Sequence, residues 1–144
     1  MPKNPSFSRT RFLGMRSLFA SIALLLTTTL SAKVITIGPE DDLRAVAEGA
    51  ADGDVIRLKA GHYKDIPEIN TRRNLTLIGI PFEESQDKAF IRDVVVDFRK
   101  SVADTWNATG EMVVRGILFK GGDHQFQFNN KILVEHCIFE EGAD

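Results

Sequence analysis

With 144 residues, one cysteine and 18 basic against 20 acidic residues, the chain carries a formal net charge of −2. This length suffices for one core, and the lone Cys137 excludes an intramolecular disulfide. Nucleic acid or an anionic membrane would require a concentrated basic face; Arg72-Arg73 with Lys59 and Lys64 are the strongest grouping, and a solvated surface accounts for them. No nucleic-acid partner is expected.

At the N-terminus Lys3, Arg9, Arg11 and Arg16 precede an uncharged run from Ser17 to Leu30 that closes in Ser31-Ala32. Basic residues, a short apolar stretch and then small residues predict a secretory signal over 1–32, cut near Ala32 or after Ser31. The run contains Thr27, Thr28 and Thr29 and falls short of the roughly 20 predominantly apolar residues of a bilayer span. With cleavage the mature chain, 33–144, is expected off the membrane, in a secreted, periplasmic or cell-surface location; a retained N-terminal anchor is the alternative. Cleavage removes four basic residues and no acidic one, leaving 14 positive against 20 negative charges, a net −6.

Val34-Ile-Thr-Ile37 reads as a short strand stopped by Gly38-Pro39. Leu43, Val46, Ala47 and Ala50 then recur at helical spacing behind Pro39-Glu-Asp-Asp42, predicting an amphipathic helix of about three turns within 39–51 whose acids face the positive end of its dipole. Ala51-Asp-Gly-Asp54 breaks it, Val55-Ile-Arg-Leu58 begins the next strand, and Gly61 permits a turn before Tyr63.

From here apolar pairs recur: Ile56/Leu58, Leu75/Leu77, Val94/Val96, Met112/Val114 and Ile132/Val134, their first members 19, 19, 18 and 20 residues apart. Each pair alternates as a strand with one buried face does. A period near 20 is too short for paired-helix repeats and lacks a leucine-rich ladder; it fits one turn of a parallel β-solenoid, rising about 4.8 Å per coil. Met112-Val-Val-Arg-Gly-Ile-Leu-Phe-Lys-Gly-Gly122 and Ile132-Leu-Val-Glu-His-Cys-Ile-Phe-Glu-Glu-Gly142 echo each other at an offset of 20, with Met112/Ile132, Val114/Val134, Ile117/Cys137 and Phe119/Phe139 as the inward set. Between them Arg115 is free to become Glu135, and Lys120 to become Glu140. Phe126 with Phe128, Ile132 with Val134 and Cys137 with Phe139 parse the last coil into three short strands, with a turn at Asn129–Lys131 and a corner at Glu135-His136.

Gly53-Asp54-Val-Ile-Arg-Leu-Lys-Ala-Gly61-His-Tyr63, the following Asn74-Leu-Thr-Leu-Ile-Gly79 and the later Val-Arg-Gly-Ile-Leu-Phe and Val-Glu-His-Cys-Ile-Phe strings resemble the N-terminal cap and first coils of the pectin lyase-like superfamily. The resemblance covers about residues 34–144. It implies an all-β fold, a right-handed parallel β-helix of about five coils with an N-terminal capping α-helix. An amphipathic helix over the first coil would hide its core cross-section and strand edges. The last coil's inward set expects another coil above it, so 33–144 is expected to be the N-terminal portion of a longer β-helix domain; a partner covering the open rung, self-association included, is the alternative.

The superfamily hosts lyases, hydrolases, esterases, epimerases and adhesins, so the fold does not select a reaction. By resemblance a glycan would lie along a strand face and its loops, here Gln125 and Gln127 with the entering loop Lys120–His124. Asp123 beside His124 offers a carboxylate and an imidazole for acid–base work, or plain turn chemistry. Trp106, in the excursion Phe98–Glu111, is placed to stack on a sugar or to pack against the coil. Asp97 faces a groove or ends its strand. His136 is expected to bond backbone at its corner, and Cys137 to be a buried, inert thiol. Asp41-Asp42 and Asp52-Gly-Asp54 supply oxygen ligands of the kind calcium takes, yet lack EF-hand spacing and read as helix capping and turn formation; no cofactor is predicted.

No lyase, hydrolase or esterase constellation of the superfamily is found in 33–144, and no catalytic residue is carried over. The expected function is a secreted protein acting on or binding polysaccharide, its catalytic apparatus in further coils and this chain alone without turnover. The alternative is a non-catalytic adhesive or carbohydrate-binding scaffold.

Overall fold

The computed structural model describes residues 31–99, 106–122 and 127–140; Asp123, His124, Gln125, Phe126 and residues 1–30, most of the expected signal segment 1–32, lie outside the described residues. In chain order the elements are β1 (Val34–Ile37), α1 (Leu43–Gly49), β2 (Val55–Leu58), β3 (Gly61–Ile66), β4 (Ile69–Thr71), β5 (Leu75–Gly79), α2 (Ile80–Ser85), a 3-10 turn (Lys88–Asp93), β6 (Val94–Phe98), β7 (Trp106–Ala108), β8 (Met112–Arg115), β9 (Leu118–Lys120), β10 (Gln127–Phe128), β11 (Ile132–Glu135) and β12 (Ile138–Glu140). The protein is mostly β. Its strands form three sheets, ordered β1-β2-β5-β8-β11, β3-β6-β9-β12 and β4-β7-β10, and every pairing is parallel. From β2 onward the chain visits the sheets in one cyclic order.

Period-2 alternation explains which side chains fill the space between the sheets. In the five-stranded sheet Ile35, Ile56, Leu77, Val114 and Val134 stand in one register column. In the four-stranded sheet Tyr63, Val96, Phe119 and Phe139 do the same. Tyr63 brings a hydroxyl into this apolar interior, and donates it to the carbonyl oxygens of Ile37 and Lys59, each 3.0 Å away.

The predicted column of five pairs needs one correction. Val94 and Val96 belong to the four-stranded sheet, while Leu75 and Leu77 pair directly with Met112 and Val114. The step from Leu77 to Val114 is thus 37 residues against 20 from Val114 to Val134, and the segment of α2 and the 3-10 turn takes up most of the difference. Two faces with the same alternation produced one apparent period.

The predicted helix is shorter than three turns, seven residues beginning after Asp42. Asp42 Oδ1 accepts the N–H of Ala45 at 3.0 Å, which sets the start, and Pro39 and Asp41 lie in the preceding turn, where Asp41 Oδ2 accepts the Gly38 N–H. Its buried Leu43 and Ala47 pack toward β3 and β4, covering those edges. Asp54 ties this end together, its carboxylate accepting N–H groups from Lys33 and Ala51 at 2.8 Å each; those two bonds hold its carboxyl below the usual range.

At the corner after β8, Gly116 has a φ of +65°, and its equivalent after β11, His136, has +51°. A Cβ on Gly116 would lie 2.4 Å from Phe82 Cβ, so that corner requires glycine twice over. His136 has its ring centroid 4.9 Å from that of Phe82 instead. The imidazole therefore packs on a ring, and the backbone bond at this corner is made by the His136 carbonyl, which accepts the Gly116 N–H, rather than by the side chain as expected.

Candidate functional site

Of the residues expected to line a groove, Trp106 and Gln127 are described, both on strands of the three-stranded sheet, while Asp123, His124 and Gln125 lie outside the described residues. β4, β7 and β10 align Asn70, Asn107 and Gln127 as register partners, so three amides share the outward face of successive strands. Asn70 and Gln127 are exposed and Asn107 is half-buried. Glu68 Oε1 organises the inner two, accepting from Asn107 Nδ2 at 2.6 Å and from Asn70 Nδ2 at 3.2 Å. Asn107 Oδ1 is buried and has no hydrogen-bond partner among the described residues. Glu48 Oε1 accepts the Asn70 N–H from α1 and is itself paired with Arg44 Nε, both at 3.0 Å. Beside this edge Glu48, Asn70, Arg72 and Arg73 line a cleft of about 400 Å³.

Trp106 is not a sugar platform. It is the first residue of β7 and pairs with Ile69 in the inward column, fully buried, with its Nε1–H donated to Thr71 Oγ1 at 3.1 Å. Parity decides this: Asn107 takes the outward position, so Trp106 must point inward.

An acid–base pair does occur elsewhere. His62 Nε2 and Asp97 Oδ2 approach to 2.9 Å across β3 and β6, both partly exposed. Asp97 is in register with Lys120, which lies 3.3 Å from Glu140 Oε2, while Arg92 reaches Glu140 Oε1 at 2.7 Å. Those two cations hold the Glu140 carboxyl below its ordinary value. An imidazole beside a carboxylate can hold and pass a proton. Sequence reasoning weighed Asp97 but missed His62, 35 residues away, because only strand register brings them together.

Two more clefts flank α2. One, of about 400 Å³, is lined by Phe82, Gln86, Arg115, Glu135 and His136 among others, and its charges are internally paired, Arg115 with Glu135 and Glu83 with Arg57. The other, of about 500 Å³, lies between Lys59 and the 80–93 segment and includes an exposed Phe90. Neither His62 nor Asp97 lines any of the three clefts.

Among the described residues no group of three or more His, Cys, Asp or Glu is placed to hold a metal. The acids considered for calcium are engaged by backbone: Asp41, Asp42 and Asp54 as above, and Asp52 through the Asn74 N–H at 2.9 Å. Cys137 is half-buried against the core, and burial pushes its thiol up. No helix among the described residues is long and apolar enough to cross a membrane.

No family model matches the chain, and no curated protein or solved structure is found similar to it.

Proposed function

We propose that the chain forms the capped first coils of a right-handed parallel β-helix, is exported by its N-terminal 32 residues, and binds an extended polysaccharide on its outer strand faces. The cyclic order of strands through three parallel sheets supports the β-helix. Three-stranded coils stacked in register make a rigid platform whose outward side chains repeat every strand spacing, about 4.8 Å.

The observation that carries the glycan reading is the amide column Asn70–Asn107–Gln127 with Glu68 at its inner end. Amides both donate and accept, as sugar hydroxyls do, and they exact a smaller desolvation cost than charges. The binding reading without turnover rests on the absence of a superfamily catalytic constellation from the sequence of 33–144.

Affinity electrophoresis of the purified chain through gels carrying individual plant and bacterial polysaccharides tests the proposal. At least one should retard it, and Asn70→Ala with Gln127→Ala should reduce that retardation severalfold. Unaltered mobility in every gel, or full retardation of the double variant, would refute the amide-column reading. Release of sugar by the chain alone would overturn the non-catalytic part.

A further inference from the structure

Resting on the glycan reading but at a place separate from the amide column, we infer that the cleft beside α2 is a second saccharide subsite, for a neutral pyranose unit, with Phe90 as the stacking ring. Phe90 is 41% exposed, whereas the next residue, Ile91, is buried. Ile91 anchors the 3-10 turn inward, Asp87 caps it by accepting the Ala89 N–H at 2.9 Å, and Arg92 ties it to Glu140 at 2.7 Å. Phe90 is thus held on a fixed turn without serving the core. Exposure of one ring is ordinary for a surface; what distinguishes Phe90 is that it lines a cleft together with polar groups.

The wall carrying it is the extra segment that lengthens one pass from 20 to 37 residues. Glu83 on α2 is pinned to Arg57 of β2 at 2.6 Å, so the opposite side of the cleft is also fixed. Its volume of about 500 Å³ is in the range of small-ligand pockets.

The polar lining selects the class of sugar. Glu84, Asp93 and Lys59 surround Phe90 and Pro81 in this cleft, and Arg57 lies 3.9 Å from Glu84 while bonded more closely to Glu83, so the cleft and its rim hold three carboxylates against two cations. Ser85 also lines it, but its hydroxyl proton is committed to the Pro81 carbonyl at 2.7 Å and one lone pair to the Asp87 N–H at 3.1 Å, leaving it a single acceptor position. Recognition of sugar hydroxyls therefore falls mainly to Glu84, Asp93 and Lys59. Carboxylates accept from hydroxyls and repel a uronate, so a face of axial C–H groups on Phe90 with hydroxyls toward the acids describes a neutral pyranose.

Isothermal titration of the purified chain with cellohexaose, mannohexaose, xylohexaose and trigalacturonate, followed by saturation-transfer NMR, decides the matter. Binding is expected with a neutral oligosaccharide and at least tenfold weaker with trigalacturonate. Phe90→Ala should lose about tenfold in affinity with an unchanged melting temperature, Phe90→Trp should retain it, and the pair Glu84→Gln with Asp93→Asn should erase the discrimination against trigalacturonate. Preference for trigalacturonate, or neutral-sugar binding that Phe90→Ala and Phe90→Trp leave untouched, would overturn the subsite while leaving glycan binding intact. Binding of no saccharide, in solution or in the polysaccharide gels, would overturn both.

Discussion

The segments 112–120 and 132–140 have one pattern and two environments. They pair residue for residue at an offset of 20, bend through a positive-φ corner at Gly116 and His136, and place Phe119 and Phe139 rings 5.5 Å apart, nearly parallel. Yet Val114 and Phe119 are fully buried, whereas Val134 and Phe139 are 39% and 45% exposed. Alternation assigns a side chain to a face; how much water that face sees depends on what lies above it. The comparison also revises one expectation. The exchanges of Arg115 for Glu135 and Lys120 for Glu140 are not free variation, because each places opposite charges on register partners, Arg115 Nε with Glu135 Oε2 and Lys120 Nζ with Glu140 Oε2.

The largest expected difference between the two segments is in their phenylalanines. Phe119→Ala should cost about 3–5 kcal/mol and Phe139→Ala about 1 kcal/mol, read from urea unfolding curves. Equal losses would mean that the two rings share one environment. Next come the corners. Gly116→Ala forces a Cβ onto Phe82 at a φ of +65°, for a loss of about 2 kcal/mol, whereas His136→Gly should stay within about 1 kcal/mol of the parent. Similar losses at both would count against Phe82 as the cause.

The cross-strand ion pair is a smaller effect. A double-mutant cycle on Arg115 and Glu135, each about 40% exposed, should give a coupling of about 0.2–1 kcal/mol that shrinks in high salt. A coupling unaffected by salt would point to packing instead. Smallest is the pH response of the outer segment. Arg92 and Lys120 lower the folded-state pKa of Glu140 below 4.5, so its contribution is present above that pH and lost as pH falls through the folded value. Acid titration of stability should show a shallower fall for Glu140→Gln than for the parent; identical curves would exclude this linkage.

Much of the scaffold was legible beforehand. Val34–Ile37, Val55–Leu58 and the strands beginning at Leu75, Met112 and Ile132 follow from alternation, and Asp42 and Asp54 act in capping and turns as their positions imply, whereas the Asp52 carboxylate reaches across to the Asn74 N–H. The insertion 80–93 was missed because its six-residue helix and 3-10 turn are too short to show a period. The site was harder to read. Gln127 reaches the outward face as expected, but Trp106 is buried, and neither the Asn70–Asn107 pairing nor the His62–Asp97 contact has any local signature.

What the sequence determined by itself is the set of residues that must share a face, since strand alternation is a property of adjacent bonds and needs no partner. Tertiary structure alone decided which strands became neighbours. Register between passes 20 to 37 residues apart brought Leu77 beside Val114, skipping Val94 and Val96, joined His62 to Asp97, and set Arg115 against Glu135. Such pairings depend on how much chain each pass consumes, and that length is set by packing of the insertion, which local patterns do not encode.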